Sequence, residues 1–308
     1  MNTSFPSITT TKLALNAVVL GLALCAQAQA TTVQLDPLFS NAPAALASGG
    51  LAGTWYKVQN DAKFSDATWQ GTTIKDTAWG TGIWAVSDIS AIAGDLKPAY
   101  VTGSTSSIGA VSFANNIYNN TVTSGAFGTW GADYARSLAP TVGAANACNM
   151  SSKDDAACAN EQNYAAVFTG YLYVAQQGLY DFGVFADDVY SFSLSGLNGM
   201  YGMSHDAVAG SSGRTQDSLL GKNGLDSLEL SQGFYAIDLS YANRLEGGVI
   251  DLGWKGPGET GWRTISDKDL FNNVPEPGTI ALFAVGLIGL WRVRRRMPAM
   301  AMVPALAA

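Results

Sequence analysis

Two adjacent aspartates, Asp187 and Asp188, are the residues of this chain whose types most directly suggest chemistry. Calcium takes six to eight oxygen ligands, and two carboxylates would supply a good part of such a set. Successive side chains of a strand point to opposite faces, so the pair converges on one ion only where the backbone bends. The alternative is a pair that caps a turn and faces solvent. The sequence leaves both interpretations open.

A catalytic alternative rests on His205, the one histidine of the chain, which is followed by Asp206. A nucleophilic serine on a tight turn would need a Gly-x-Ser-x-Gly motif, and the sequence has none. Carboxylates for glycoside hydrolysis could come from Glu161, Glu246 or Glu259, but sequence alone brings no two of them to the required distance. We therefore expect a loop histidine and a protein that is not an enzyme.

Cys148 and Cys158 have nine residues between them, in a segment rich in Asn, Ala, Ser and Asp. Two thiols and one histidine do not make a four-ligand zinc site at this spacing. In an oxidising compartment the pair predicts one local disulfide.

The elements that must position these residues are strands. The second half of the chain alternates apolar and polar side chains with a period of two, which predicts five strands within residues 165–256. The first two flank a turn at residues 176–178 and predict a β-hairpin. The residues expected to face inward are Phe168, Leu172, Val174, Tyr180, Phe182, Val184, Phe192, Leu194, Tyr235, Ile237, Leu239, Tyr241, Ile250, Leu252 and Trp254.

The first half is less regular, with one short helix predicted near residues 88–96. Trp55, Trp69, Trp79, Trp84 and Trp130 are scattered among Gly, Thr and Asn. An aromatic ring can be a sugar platform, but most buried tryptophans are core residues, and we expect that role for each of these.

Several segments between roughly residues 50 and 271 follow one another in an order that resembles the order seen in PA14 domains. No single motif is specific, but the order of the segments is. They are Gly50-Leu51-Ala52-Gly53-Thr54-Trp55-Tyr56, Phe168-Thr169-Gly170-Tyr171-Leu172, Gly178-Leu179-Tyr180-Asp181-Phe182, Asp187-Asp188, Gly233-Phe234-Tyr235-Ala236-Ile237 and Leu252-Gly253-Trp254-Lys255-Gly256-Pro257-Gly258. The resemblance implies an all-β fold, a PA14-like β-sandwich or barrel with an irregular insertion around residues 66–162.

The resemblance also implies a ligand. In sugar-binding PA14 domains two adjacent aspartates, joined by a cis peptide, hold a calcium ion that also takes sugar hydroxyls, and a later asparagine completes the site. Asp187, Asp188 and Asn243 stand at the matching places, so calcium and a carbohydrate are the implied cofactor and partner. Val189 stands where the family usually has glycine.

The carboxyl end resembles the PEP-CTERM sorting signal of Gram-negative bacteria, which an exosortase recognises and removes. Pro275, Glu276 and Pro277 precede an apolar run, and Arg294, Arg295 and Arg296 follow it. The 13 uncharged residues from Thr279 to Trp291 would span roughly 20 Å as a helix, against a hydrocarbon core of about 30 Å. This length predicts a transient insertion in the inner membrane and not a permanent anchor.

The amino end indicates the same compartment. Lys12 precedes the apolar run Leu13 to Leu24, and Ala28-Gln29-Ala30 is a small-residue cleavage site for signal peptidase. The predicted organisation is a signal peptide at 1–30, a linker at 31–49, the β domain at 50–271 and the sorting segment at 272–308, with a short membrane helix at 279–293.

The net charge of the exported part limits the classes of partner that it can bind. Residues 31–275 carry 12 Lys and Arg against 23 Asp and Glu, a formal charge of −11. Such a surface makes nucleic acid an improbable partner. We expect a protein of the cell surface or extracellular matrix that binds a polysaccharide or other glycan through calcium. The alternatives are a structural or adhesion protein without a sugar site and, less favoured, an enzyme that acts on glycans.

Overall fold

The computed structural model describes residues 31–59, 68–69, 72–73, 83–96, 98–114, 137–138, 163–207, 215–244 and 248–273. These residues form two helices, α1 (Val86–Ala93) and α2 (Leu219–Asn223), and short 3₁₀ turns at Pro98–Tyr100 and Asp267–Asp269. The strands are β1 (Thr32–Leu35), β2 (Leu46–Ser48), β3 (Leu51–Val58), β4 (Thr68–Trp69), β5 (Thr72–Thr73), β6 (Val101–Gly109), β7 (Ser112–Ala114), β8 (Ser137–Leu138), β9 (Tyr164–Val174), β10 (Gly178–Asp187), β11 (Val189–Gly196), β12 (Gly199–His205), β13 (Thr215–Ser218), β14 (Ser227–Leu230), β15 (Gly233–Asn243), β16 (Val249–Lys255), β17 (Arg263–Thr264) and β18 (Leu270–Asn273).

The strands build two facing sheets, which confirms the predicted all-β sandwich. The first sheet has the order β1-β14-β10-β16-β7-β8, with β13 beside β10 and β17 beside β16. The second has the order β12-β11-β15-β9-β18-β2, and β3 joins β9 to β6. Among the residues that the structure describes, strands β4 and β5 pair only with each other. Apart from β1 with β14 and β7 with β8, the pairings are antiparallel.

The main core lies between the two sheets, because alternate side chains of each sheet point into the gap. All fifteen residues predicted to face inward are buried there. Trp55 is 0% exposed and packs edge-on against Phe113 and Phe168, with ring centroids 5.1 and 5.4 Å apart. Its indole Nε1 donates to the Ser107 hydroxyl at 2.9 Å. Trp55 and Trp84 are core residues as predicted, whereas the side chains of Trp69, Trp79 and Trp130 lie outside the described part of the chain.

A second, smaller core lies on the outer face of the second sheet. Helix α1 packs Ile89 and Ile92 against Ala165, Val189 and Ala242 of that sheet. The Asp88 carboxylate caps the helix by accepting from the backbone nitrogens of Trp84 at 2.9 Å and of Ala85 at 3.0 Å. The predicted helix near residues 88–96 is therefore present, beginning and ending slightly earlier.

The predicted hairpin of β9 and β10 is wrong. The two strands lie in different sheets, β9 paired with β15, β3 and β18, and β10 with β13, β14 and β16. Alternation fixes which face of a strand is buried, but it does not fix which strand lies beside it. It also fails to predict β12 and β13, whose residues are mostly small or polar.

Two predicted domain boundaries also need correction. Residues 31–49 are not a linker, since β1 pairs with β14 and β2 with β18. The predicted insertion around residues 66–162 contains β6, β7 and α1, which pair with or pack on the sheets. The sequence did not predict these strands because of their polar composition. Strand β6 lies at a sheet edge and exposes alternate residues that are mostly Ser and Thr.

Several predictions fall on residues that the structure does not describe. They are the signal peptide, the Cys148–Cys158 disulfide, the membrane helix at 279–293 and the sorting residues Pro275, Glu276, Pro277, Arg294, Arg295 and Arg296. Within the described ranges, no helix is both long and apolar enough to span a bilayer.

Candidate functional site

Asp187 and Asp188 form the corner at which the chain passes from one sheet to the other. Asp187 ends β10 of the first sheet, paired with Val249, and Val189 begins β11 of the second, paired with Ala242. Asp188 is thus the single residue between the two strands. The sequence-based requirement for a bent backbone at this point is met by the change of sheet, and the Asp187–Asp188 peptide bond is cis.

Asp188 is fixed on both its backbone and its side chain. Its nitrogen donates to the carbonyl oxygen of Ala242 at 3.2 Å. Its Oδ2 accepts from the backbone nitrogen of Arg244 at 2.8 Å, and the residue is 8% exposed. The carboxylate is therefore held against the end of β15, beside Asn243.

Asn243 lies at the same corner because the strands end together. It closes β15 opposite Tyr164, the first residue of β9, and is 0% exposed. Gly248 packs against it so closely that an added Cβ would lie 2.7 Å from Asn243 Cγ and 2.5 Å from the Tyr164 hydroxyl oxygen. The structure therefore brings together all three residues predicted to form the site, and a glycine at 248 leaves room for the asparagine amide.

A buried tyrosine supports the corner from within the core. The Tyr241 hydroxyl donates to the carbonyl oxygen of Asp187 at 2.7 Å and lies 3.5 Å from the Tyr164 hydroxyl. Burial, reinforced by Tyr164, raises the pKa of Tyr241 well above its ordinary value. The phenol thus keeps its proton and remains a donor to Asp187.

Lys57 lies next to this group, opposite Tyr164 in the pairing of β3 with β9. It is 8% exposed, and burial lowers its pKa to about 8. The pairing places this titrating lysine on the strand beside Tyr164.

The outer rim of the corner carries a guanidinium stacked on an indole. The Arg244 Cζ lies 3.7 Å from the ring centroid of Trp84, a distance at which the cation is attracted to the ring face. The Trp84 segment is tied to the chain after β12, because Ala207 N donates to Trp84 O at 2.9 Å and Val86 N to Asp206 Oδ1 at 2.8 Å. The rim therefore joins segments that are more than a hundred residues apart in sequence.

His205 is not the predicted loop histidine but the last residue of β12, paired with Tyr190 of β11. Burial lowers the pKa of His205, although the carboxylates of Asp217 and Asp188 act in the opposite direction. The polar residues around it made the strand look like a loop in the sequence.

The donor atoms of the corner fit a hard cation. The carboxylates of Asp187 and Asp188 and the amide carbonyl of Asn243 present oxygen atoms, and oxygen is the class of ligand that calcium prefers. In the described residues no group of three or more His, Cys, Asp or Glu side chains is placed to share a metal ion. An ion here would need amide, main-chain or water oxygens beyond the two carboxylates.

Arg244, Tyr241 and Lys57 are the residues of this corner that sequence reasoning missed as parts of a site. Tyr241 was predicted only as a core residue, and its hydroxyl gave no separate signal. Only its position two residues before Asn243, on the same face of β15, could have indicated that it lies beside the site.

The comparisons with known proteins concern two parts of the chain. Residues 273–296 match the PEP-CTERM protein-sorting motif. The chain carries a PEP-CTERM sorting signal. This confirms the prediction from the carboxyl-terminal residues and marks the protein as exported and directed to the cell surface.

PA14 domains are among the solved structures similar to the described fold. The A domain of epithelial adhesin 9 from Candida glabrata, in complex with Galβ1-3GlcNAc, is 14% identical with a TM-score of 0.44, over 80% of this chain and 98% of that chain. The PA14 sugar-binding domain of an RTX adhesin is 15% identical with a TM-score of 0.37, over 74% and 100%. The PA14 domain of the antifreeze protein MpAFP is 13% identical with a TM-score of 0.36, over 78% and 99%. The search of curated proteins gave no match.

Proposed function

We propose that this exported protein binds carbohydrate through a calcium ion held at the corner of Asp187, Asp188 and Asn243. The observation that carries the proposal is the convergence of Asp188 and Asn243. Both are almost fully buried, and the Asp188 carboxylate is fixed by the Arg244 nitrogen directly beside Asn243. Carboxylate and amide oxygens that meet at one strand end are of the ligand class that calcium prefers.

The three residues have separate parts in this proposal. Asp188 and Asn243 are held by β15, while Asp187 is held by Tyr241 through its carbonyl oxygen. A calcium ion would supply coordination positions that vicinal sugar hydroxyls can fill, and this chain supplies the anionic and amide oxygens. The sequence resemblance to sugar-binding PA14 domains supports a polysaccharide or glycan as the partner, and the cell's own surface matrix is a fitting source for an exported protein.

The test is a calorimetric titration of calcium into the chelator-stripped protein. We expect binding in the micromolar to millimolar range reported for calcium sites outside the tightest buffers. A variant with Asp187→Asn and Asp188→Asn keeps the side-chain size and one acceptor oxygen on each residue but removes both negative charges, and it should give no measurable heat.

The matched control replaces two exposed aspartates away from the corner, Asp95→Asn and Asp238→Asn. It changes the net charge equally and should leave calcium binding unchanged. If the wild type binds no calcium, the proposed metal site is wrong. A structural or adhesion protein that keeps the fold without the site is then favoured.

Glycan binding is then measured on an immobilised polysaccharide array with calcium and with chelator. Calcium-dependent retention that the double variant loses is the expected result. Retention that persists in chelator would contradict the calcium mechanism, and release of reducing ends would show an enzyme.

A further inference from the structure

The amino-terminal strand β1 is an edge strand of the first sheet and is closely integrated with it. It pairs in parallel with β14 from Thr32 beside Ser227 to Leu35 beside Leu230, and Leu35 is fully buried in the main core. The Ser227 hydroxyl donates to the Thr32 hydroxyl at 2.9 Å. A strand with such contacts needs its first residue to be held, since edge strands fray from their ends.

The backbone nitrogen of Thr31, one residue before β1, lies 2.6 Å from Oδ2 of Asp226. The contact is reciprocal, because the nitrogen of Asp226 donates to the carbonyl oxygen of Thr31 at 3.2 Å. Separations of about 2.7–2.9 Å are usual where a charged nitrogen meets a carboxylate. Asp226, the residue immediately before β14, thus accepts from the nitrogen of the residue immediately before β1.

The chemistry of this nitrogen depends on processing. In the precursor it is a neutral amide with one hydrogen, whereas hydrolysis of the Ala30–Thr31 bond makes it an ammonium group with three hydrogens and a positive charge at neutral pH. Ala28-Gln29-Ala30 is a signal-peptidase pattern that ends at this bond. Thr31 is exposed, so its nitrogen lies at the surface where a leader can be attached or removed without disturbing the core.

We propose that the mature chain begins at Thr31 and that Asp226 is the receptor for its α-ammonium group. Removal of the leader then converts a hydrogen bond into an ion pair that fixes the edge strand β1 to β14. Any other cleavage position would displace the charge: a cut one residue earlier moves it away from Asp226, and a cut further inside removes residues that pair with β14.

The first measurement is the amino-terminal sequence, by mass spectrometry, of the protein exported from cells that express the whole precursor. We expect Thr31 as the first residue. Any other first residue would overturn the proposal.

The second measurement separates the ion pair from the hydrogen bond. Two chains are compared, one from residue 31 to 308 and one that keeps Ala30, each with Asp226 and with Asp226→Asn. The substitution should lower Tm by about 1–3 °C in the chain that begins at Thr31, the size expected of an exposed ion pair in a domain of this length. In the chain that keeps Ala30 the shift should be less than half as large.

Asp238→Asn is the matched control, since Asp238 is exposed on the middle of β15 and should give equal, near-zero shifts in both chains. Equal shifts for Asp226→Asn in the two chains would show that the position of the ammonium group is immaterial and would overturn the assignment of Asp226. Neither measurement depends on calcium or sugar binding.

Discussion

Tyr235 and Tyr241 lie on the same face of β15, and both are fully buried, but they support opposite ends of the sandwich. The Tyr235 hydroxyl donates to the carbonyl oxygen of Ser231 at 2.8 Å and lies 2.9 Å from that of Leu35, which joins β1 to the second sheet. The Tyr241 hydroxyl instead donates to Asp187 at the candidate site. The same type of side chain on one strand therefore joins β1 to the second sheet at one end and holds Asp187 of the candidate site at the other.

The two ends also hold their carboxylates differently. At the end remote from the candidate site, Glu259 accepts from Gly256 N at 2.8 Å and from Arg263 Nε at 2.6 Å, so the guanidinium of Arg263 on β17 faces its charge. At the corner, Asp188 accepts from a neutral backbone nitrogen. The donor to Glu259 is thus a side chain four residues away, whereas the donor to Asp188 is the backbone of a strand end 56 residues away.

The largest expected effect comes from the core that both ends share. Trp55→Ala removes a fully buried ring that contacts Tyr241, Phe168 and Phe113, and should lower the free energy of unfolding by about 3–5 kcal/mol. Urea denaturation measures this loss. Leu96→Ala, at a side chain 75% exposed, is the control and should change stability by less than about 0.5 kcal/mol. A small effect of Trp55→Ala would mean that the two ends do not depend on one core.

Lys57→Met tests the buried amine at the site end. Because burial lowers the pKa of Lys57 to about 8, the unfolded chain binds the proton more tightly than the folded chain between pH 8 and the ordinary lysine pKa. Below pH 8 the full cost of burying the charge is present, so the stability of Lys57→Met relative to the wild type should be higher at pH 7 than at about pH 10.4 by on the order of 2–3 kcal/mol.

This advantage should shrink as pH rises from about 8 to about 10.4, where the wild-type amine is neutral in both states. Unfolding in urea at a series of pH values measures it. Lys268→Met, at an exposed lysine, should show no such dependence. An advantage for Lys57→Met that stays constant with pH would contradict the assignment of the effect to the amine charge.

The paired substitutions Tyr241→Phe and Tyr235→Phe sharpen the comparison of the two ends directly. Each removes one buried hydroxyl and should cost about 1–2 kcal/mol of stability, measured by urea denaturation. Only Tyr241→Phe should also weaken calcium binding, because only it releases the Asp187 backbone. If both weakened binding equally, the effect would belong to the core and not to the corner.

The smallest effect is expected at Glu259. Burial alone would raise the pKa of this carboxyl, but the hydrogen bonds from Gly256 and Arg263 lower it below its ordinary value. Its contribution to stability is therefore present above about pH 4.3 and lost as pH falls through the folded-state pKa. Glu259→Gln should cost about 0.5 kcal/mol or less at pH 7, since both side chains of the ion pair are about one third exposed and solvent screens their charges. Glu259→Gln should not change calcium binding. A change in calcium binding would show that the two ends of the sandwich are energetically coupled.

The sequence predicted the buried faces of the strands better than their partners. Alternation identified the inward residues of β9, β10, β11, β15 and β16, because each side chain's environment is a local property of a two-residue repeat. It gave the wrong partner for β10, and it left β1, β6 and β12 undetected. Pairing depends on where a strand lies in the sheets, and edge strands carry the polar residues that sequence reasoning assigns to loops.

The candidate site divides in the same way. Asp187, Asp188 and Asn243 were accessible from the order of motifs along the chain, and the sorting signal from a short, contiguous pattern of prolines, apolar residues and arginines. The Tyr241 hydroxyl, the Lys57 amine and the stack of Arg244 on Trp84 were not accessible, because each depends on residues far apart in sequence.

By itself, the sequence determined that the chain is exported, that it is rich in strands and which side chains are buried, since these follow from composition, short motifs and a local period. Only the tertiary structure decided that one residue, Asp188, joins the two sheets, that Asn243 ends its strand beside it, and that Asp226 meets the nitrogen of Thr31. Such contacts join residues up to about two hundred positions apart in sequence, and only the register of the folded sheets sets those distances.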